Sequence, residues 1–422
     1  MSVPLRFLLI AIPVMLMAVL VVWLAQAQTS AEDPVVEQVQ AEIEPIALSP
    51  DQQELDREIS RIGGTFAGHV GIAVHDIEAR RTLHFNGLER FPQQSVSKLW
   101  VAMTALDEVD AGRLDLAEMV EIRSRDLTVF YQPIRKIVRR KGSFSSDYAD
   151  LIARAIIESD NTANDRVLRR VGGPEAVQDF LDGHGLASIR FGTDERTKQS
   201  AIAGLEWRQS YSQGSAFFDA RDQVPDARRR EAFETYLADP PDGAPPVAIV
   251  EALARLYRGD LLSEDSTRLL LDTLEQTKSG PRRLKAGAPE GWTVRHKTGT
   301  GQFFDGEQSG YNDVGIVVSP QGRGYAVAVM IARTREPTPT RMEMMQSVVR
   351  AVVRYHAAQY GPQLSRELPI AAGGAAPGAV LVYHRNDGSN RNRFFPKFVG
   401  FSSRSFCIQR ESFFPHVLGR RL

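Results

Sequence analysis

Short apolar runs bounded by turn residues open and close the central part of the chain, and stretches of helical spacing lie between them. Val70-Gly71-Ile72-Ala73-Val74 and Thr82-Leu83-His84-Phe85, separated by the charged segment 76–81, predict a β-hairpin. The runs 314–319 and 325–332 predict a second, turning through Pro320-Gln321-Gly322. Residues 342–355 then carry helical periodicity. Between the hairpins, segments 148–158 and 164–171 read as helices, and so does the dense run of Leu99, Trp100, Val101, Met103, Ala105 and Leu106. The expected architecture is α+β: an antiparallel sheet with helices from the two ends of the domain, interrupted by an all-α subdomain over about residues 88–284.

Outside this centre the pattern changes. An almost unbroken apolar run at 7–25 follows Arg6, and Ala25-Gln26-Ala27 has the small-x-small spacing of a cleavage site, so residues 1–27 read as a secretory signal peptide. The run is also long enough to cross a bilayer uncleaved, although Pro13 within it disfavours a permanent anchor. Residues 28–50 are polar, acidic and free of aromatics, which predicts a flexible linker, and residues 51–360 form the expected folded domain. Within that domain, 201–246 is a charged insertion marked by Arg228-Arg229-Arg230 and the break Pro240-Pro241-Asp242-Gly243. Gly373-Gly374-Ala375-Ala376-Pro377-Gly378 lies in a tail, 361–422, that is rich in Arg, Phe and Ser and lacks either periodicity; the sequence assigns it no function.

Composition narrows the partners. With 422 residues and 43% hydrophobic composition the chain can bury a large core. Its formal net charge of −1, with both signs mixed, gives no field for nucleic acid, and a monomer with no membrane contact beyond the N-terminal segment is expected. The single cysteine, Cys407, excludes an intramolecular disulfide. Eight scattered histidines, with no His-x-His or His-Glu-x-x-His, argue against a zinc hydrolase; neither metal nor other cofactor is expected, and His296 reads as structural.

Three short motifs carry the candidate chemistry. Ser95-Val96-Ser97-Lys98 sets a hydroxyl and an amine at i and i+3, on one face at the start of the helix that the following apolar run predicts. There the helix dipole and free N–H groups favour negative charge developing at the site. Alone, the pattern is as easily a serine near a helix start and a solvated lysine. Ser159-Asp160-Asn161 and Lys297-Thr298-Gly299 follow in order, which changes that balance.

The second motif extends through Thr162-Ala163-Asn164, and the third is embedded in Arg295-His296-Lys297-Thr298-Gly299-Thr300-Gly301 after Gly291-Trp292-Thr293-Val294. On these residues the segment 51–360 resembles the penicillin-recognising serine enzymes, and within them the class A serine β-lactamases. The resemblance implies a β-lactamase/transpeptidase-like fold with a five-stranded antiparallel sheet and a cleft between sheet and helical subdomain. It also implies hydrolysis of the amide bond of small-molecule β-lactams, penicillins and cephalosporins, and hence antibiotic resistance. Ser95 would be the nucleophile, and Lys98 its base or proton relay, with a lowered pKa that nearby Lys297 would help to set. Ser159 would protonate the leaving nitrogen, and the backbone N–H groups of Ser95 and Thr300 would hold the oxyanion. Lys297 and Thr298, with Gly299 beside them, would bind the substrate carboxylate, and Asn161 the side-chain amide. Tyr131 would flank the cleft. Glu195, which ends segment 185–195 with Arg190 ahead of it, would be the deacylating base.

Two departures stand out. The family places leucine and asparagine shortly after the glutamate, where this chain has Lys198-Gln199; the glutamine amide offers the same donors and acceptor on a longer stem, and slow deacylation is the expectation. The family also places an arginine behind the substrate carboxylate. Tyr311-Asn312-Asp313-Val314 fills the strand where one version sits, leaving Arg341 as the candidate for the other. Two further readings stay open: a penicillin-binding DD-peptidase, in which Glu195 is idle, and a non-catalytic β-lactam or muropeptide sensor tethered by residues 7–25. An enzyme that destroys wall-directed drugs belongs outside the cytoplasmic membrane, in the periplasm or secreted.

Overall fold

The computed structural model describes residues 47–361. The N-terminal segment 1–27, most of the linker, the tail beyond 361 and Cys407 lie outside the described residues. Residues 47–49 belong to the folded part, because Ser49 caps helix α1 (Pro50–Thr65): its hydroxyl accepts from Gln52 N at 3.2 Å, and its own N–H donates to Gln52 Oε1 at 3.0 Å. Such a reciprocal cap contributes about 1 kcal/mol. Leu48 packs on the core beside it, so the folded part takes in residues 47–50 of the span read as linker.

Strands β1 (Gly68–Asp76) and β2 (Arg81–Phe85) form the first expected hairpin. After the short strand β3 (Phe91–Pro92) comes a 3-10 turn at Gln94–Ser97, and helix α2 (Lys98–Asp110) runs on through the core. The helical subdomain is then built from β4 (Met119–Arg123), α3 (Ile134–Lys141), β5 (Ser143–Asp147), α4 (Tyr148–Ala153) with a π-helical turn at Arg154–Glu158, α5 (Asn161–Arg170) and α6 (Pro174–Gly183). It continues with α7 (Glu195–Ile202), α8 (Ala216–Asp222), α9 (Asp226–Ala238), β6 (Gly243–Ala244), α10 (Pro246–Arg258) and α11 (Glu264–Glu275). The chain returns to the sheet as β7 (Thr293–Thr300), β8 (Phe303–Phe304), β9 (Glu307–Val318) and β10 (Gly324–Thr334), then closes with α12 (Thr338–Tyr360).

The main sheet is antiparallel in the order β2-β1-β10-β9-β7, with β8 paired to β9 off this five-strand path. Side chains alternate across a strand. β10 therefore sends Ala326, Ala328, Met330 and Ala332 into the core shared with α2 and α10, and Tyr325, Val327, Val329 and Ile331 into the core shared with α1 and α12. The alanines let α10 approach the sheet closely, and the large residues fill the wider gap on the other face. Helices α1 and α12 lie together: Arg354 Nη2 donates to Glu58 Oε1 at 2.9 Å, and Gln359 Nε2 to Ser49 Oγ at 3.2 Å.

The subdomain is helical but not purely so. β4 pairs with β5, and β3 with β6, as two small ribbons. The second ribbon matters for the site. It pairs Phe91 with Ala244 and Pro92 with Gly243, which fastens the end of the 201–246 insertion to the residues just before Ser95. The rest of that insertion folds largely as α8 and α9.

Candidate active site

Ser95 sits in the 3-10 turn ahead of α2, not in the first turn of the α-helix itself. Gln94 before it has φ of +54°, a left-handed conformation that a non-glycine residue holds only when its surroundings fix it. They do: Gln94 N donates to Asp242 Oδ2 at 2.8 Å, and Asn312 Nδ2 of β9 donates to Pro92 O at 2.7 Å and Gln93 O at 3.1 Å. Below the turn, fully buried Trp100 donates its indole N–H to Gln93 Oε1 at 2.6 Å.

Lys98 is completely buried at the centre of the cluster. Its Nζ lies 3.0 Å from Ser95 Oγ, 3.3 Å from Ser159 Oγ, 3.1 Å from Ser159 O, 2.5 Å from Asn161 Oδ1 and 4.0 Å from Glu195 Oε1. Burial holds its pKa below the usual lysine range, and Glu195 opposes that shift while the Lys198 ammonium adds to it. Lys198 is thus a second cation near Lys98, beside the expected Lys297. Lys297, on edge strand β7, places Nζ 2.9 Å from Ser159 Oγ, and burial followed by Lys98 lowers its pKa strongly. Ser159 itself, with φ of +59°, stands where the π-helical turn ends, and Asp160 caps α5 by accepting from Thr162 N at 2.8 Å and Ala163 N at 3.0 Å. The other Asp160 oxygen accepts from Ile134 N at 2.9 Å, so one carboxylate fixes both the second motif and the start of α3.

Glu195 is not in a loop. It opens α7, capped by Asp194, and is buried against the cluster. Burial alone would raise its pKa, but Lys198 and Lys98 outweigh that and pull the carboxylate down to about 2. Gln199 Nε2 lies 3.4 Å from Glu195 Oε2 and donates to Gln94 Oε1 at 2.9 Å, and Gln302 Nε2 reaches Gln199 Oε1 at 3.1 Å. The glutamine in the departed position therefore ties the candidate base to the nucleophile turn and to the loop after β7.

Ser95, Ser159, Asn161, Glu195, Thr298 and Thr300 line one cleft of about 420 Å³, together with Tyr131, Gln199 and Gly301. Tyr131 is 61% exposed at its edge. Asn161 accepts from Lys98 and donates to Val129 O at 3.0 Å, so half of its amide is committed to the protein. Gly299 lies where β7 passes the nucleophile turn: a Cβ there would stand 2.3 Å from Gln93 O, a contact only glycine avoids. His296 is buried on the same strand, paired with Asp313 at 2.9 Å.

Arg341 is not at the cleft. It is buried beneath the sheet, donating to Glu336 O at 2.6 Å and to Gln308 Oε1, with Tyr311 beneath its guanidinium. Arg283, which sequence reasoning missed, is the arginine that lines the cleft, and it donates to Thr300 Oγ1 at 2.6 Å, Gly299 O at 3.0 Å and Asn312 O at 2.7 Å. No local signal marks it, because it lies outside every motif. Asp165 was missed as well. Fully buried in α5, it accepts from Glu195 N at 3.1 Å through Oδ1, while Oδ2 has no hydrogen-bond partner among the described residues.

Burial, with Asp194 and Glu195 nearby, raises Asp165 from 3.8 to about 7. The folded chain then holds this proton more tightly than the unfolded chain, so the group's contribution is complete below about pH 4 and lost as pH rises through about 7. Asp165→Asn is expected to gain on the wild type by up to about 4 kcal/mol near pH 8 and to lose that advantage toward about pH 4. Thermal melts at both pH values check this, and an equal difference at the two would refute a neutral buried Asp165.

Comparison with known proteins agrees with this arrangement. Residues 54–356 match the β-lactamase enzyme family. The extended-spectrum β-lactamase PER-1 of Pseudomonas aeruginosa is 31% identical over 287 residues, 68% of this chain and 82% of that protein. β-Lactamase CTX-M-8 of Citrobacter amalonaticus is 25% identical over 306 residues, 72% of this chain and 90% of that protein. Among solved structures, a β-lactamase from Chitinophaga pinensis superposes with a TM-score of 0.59 at 26% identity, covering 72% of this chain and 99% of the other. An ancestral class A β-lactamase gives 0.57 at 28% identity, covering 71% and 99%. With the three motifs converging on one cleft, these likenesses establish that the chain belongs to the β-lactamase enzyme family, in its class A branch.

Proposed function

We infer that the protein hydrolyses the amide bond of penicillin- and cephalosporin-type antibiotics through an acyl-enzyme on Ser95, and thereby confers resistance to them. The observation that carries this reading is the position of Lys98, whose Nζ lies 3.0 Å from Ser95 Oγ on one side and 4.0 Å from Glu195 on the other. Ser95 Oγ attacks the lactam carbonyl carbon as its proton passes to the neutral Lys98 amine, and the backbone N–H groups of Ser95 and Thr300 receive the oxyanion. The C–N bond then breaks, and the ring nitrogen takes a proton from Ser159 Oγ, which Lys98 and Lys297 hold between them; the Lys98 ammonium passes the proton it took from Ser95 to Ser159 and is neutral again. Glu195 takes a proton from water as the hydroxide attacks the ester carbon, the bond from that carbon to Ser95 Oγ breaks, and the proton returns from Glu195 to Ser95 Oγ, restoring both.

Recognition falls to the opposite wall. Lys297 and Thr298 bind the substrate carboxylate, Arg283 adds positive charge behind Thr300, and the free side of Asn161 meets the substrate amide. The DD-peptidase reading leaves Glu195 without a task, yet Glu195 is buried and ion-paired beside Lys98. Export rests on the apolar run at 7–25 and the Ala25-Gln26-Ala27 site, and the enzyme acts as an exported monomer.

Mixing purified protein with benzylpenicillin, with intact mass and drug consumption followed over time, tests the reading. The wild type is expected to consume the drug without retaining an adduct; Ser95→Ala is expected to gain no mass and to lose at least about a thousandfold in rate. Acylation of the alanine variant, or a wild type that holds its adduct indefinitely, would overturn it.

A further inference from the structure

A buried cation that the reaction above does not use lies behind Glu195. The Lys198 side chain is 2% exposed, and its Nζ stands 3.3 Å from Glu195 Oε1 and 3.2 Å from Asp242 Oδ2. The same Asp242 oxygen accepts the N–H of Gln94, and Tyr236 OH donates to Asp242 Oδ1 at 3.0 Å. Asp242 and Tyr236 belong to the end of the 201–246 insertion, which the β3/β6 ribbon pins beside the nucleophile turn. We propose that Lys198 and Asp242 are a positioning pair for deacylation: the Lys198 ammonium keeps the Glu195 carboxylate ionised and fixed in the cleft, and Asp242 ties that ammonium to the turn that carries Ser95.

A buried carboxylate without a counter-ion takes up a proton instead of staying charged. Lys98 cannot be the lasting counter-ion, because it must be neutral to accept the proton of Ser95. Lys198 has no such duty. Glu195 and then Asp242 outweigh its burial and raise its pKa, so it stays charged throughout the cycle. The charged groups that face Glu195 are Lys198, Asp194 and Arg196 on or next to its own helix, Lys98 from α2, Asp165 from α5, Asp242 from the insertion and Lys297 from β7. The anions among them oppose ionisation, and the two nearest lysines prevail. The result is a weak base that remains ionised in acid, so deacylation is expected to keep its rate over a wide pH range.

The inference rests on Glu195 being the deacylating base, and the test separates the two. Acylation and deacylation by benzylpenicillin are measured in rapid-mixing experiments from about pH 4 to 8, for the wild type, Lys198→Met, Lys198→Arg and the double variant Lys198→Met/Asp242→Asn, which removes the charge of Asp242 together with that of its partner and leaves Glu195 as the carboxylate under test. Wild-type deacylation is expected to be flat to about pH 4. Lys198→Met and the double variant are expected to show an acid limb of deacylation moved up by at least about one pH unit, a roughly tenfold loss at the low end that exceeds the loss of acylation, and Lys198→Arg to restore the wild-type limb. A wild-type limb above about pH 5, or a double variant that melts like the wild type and keeps its flat profile, overturns the proposal. So does an equal fall of acylation and deacylation, which would mark a merely structural pair. Normal deacylation by Glu195→Gln instead removes the reading on which the proposal rests.

Discussion

Glu195→Gln is expected to acylate at Ser95 within about tenfold of the wild-type rate and to deacylate at least about a thousandfold more slowly, leaving one penicilloyl group on each chain. Glutamine keeps the size of the side chain and an oxygen for Lys198, but it cannot take a proton from water. Acylation survives because Lys98 stays 3.0 Å from Ser95 Oγ, with the burial that keeps it a competent base. Intact-mass spectra taken over minutes after mixing decide the matter. A persistent adduct on the variant alone assigns deacylation to Glu195, and equal turnover by both proteins would remove it from the mechanism.

Gly299→Ala is expected to cut acylation by roughly a hundredfold and to lower the melting temperature by several degrees. The added Cβ would sit 2.3 Å from Gln93 O, with Asn312 Nδ2 at 3.2 Å and Gln94 Cβ at 3.3 Å. The closest of these atoms is backbone, in a turn held by Asp242 and Asn312, so no side chain can swing aside. Strand β7 must retreat, and the Thr300 N–H retreats with it from the place where the oxyanion forms. Losing one oxyanion donor costs about a hundred- to a thousandfold in other acyl-transfer enzymes. Single-turnover acylation and a thermal melt measure the two effects separately. Unchanged acylation would show that the close approach of strand and turn serves packing alone.

Much of this arrangement was legible in the sequence for a physical reason. The sheet strands are short apolar runs next to recognisable turns, and the motif residues are chemically unusual at fixed spacing. What escaped is what depends on distant partners. Val120 and Ile122 of β4 do alternate with exposed neighbours, but Ser143-Phe144-Ser145-Ser146-Asp147 has little strand character and becomes β5 by pairing with it. The pairing of Lys198 escaped because nothing in α7 announces that Asp242 will meet it from the far end of the insertion. Arg283 and Arg341 differ in fate for the same reason: each guanidinium lies by Tyr311, but only Arg283 comes up on the cleft side. Lys98 was expected to owe its low pKa partly to Lys297; burial dominates, and Lys198, which belongs to none of the three motifs, adds to it.

The pairing of α1 with α12 has a consequence for the way the chain is threaded. Ser49 and Gln359 touch, so the first and last turns of the domain meet on the sheet face opposite the helical subdomain. A few linking residues would join them, and the order of the elements could then begin at any exposed loop without disturbing a strand pair. The catalytic cluster depends on which segments lie side by side, not on which is made first, and a circularly permuted gene would still encode it.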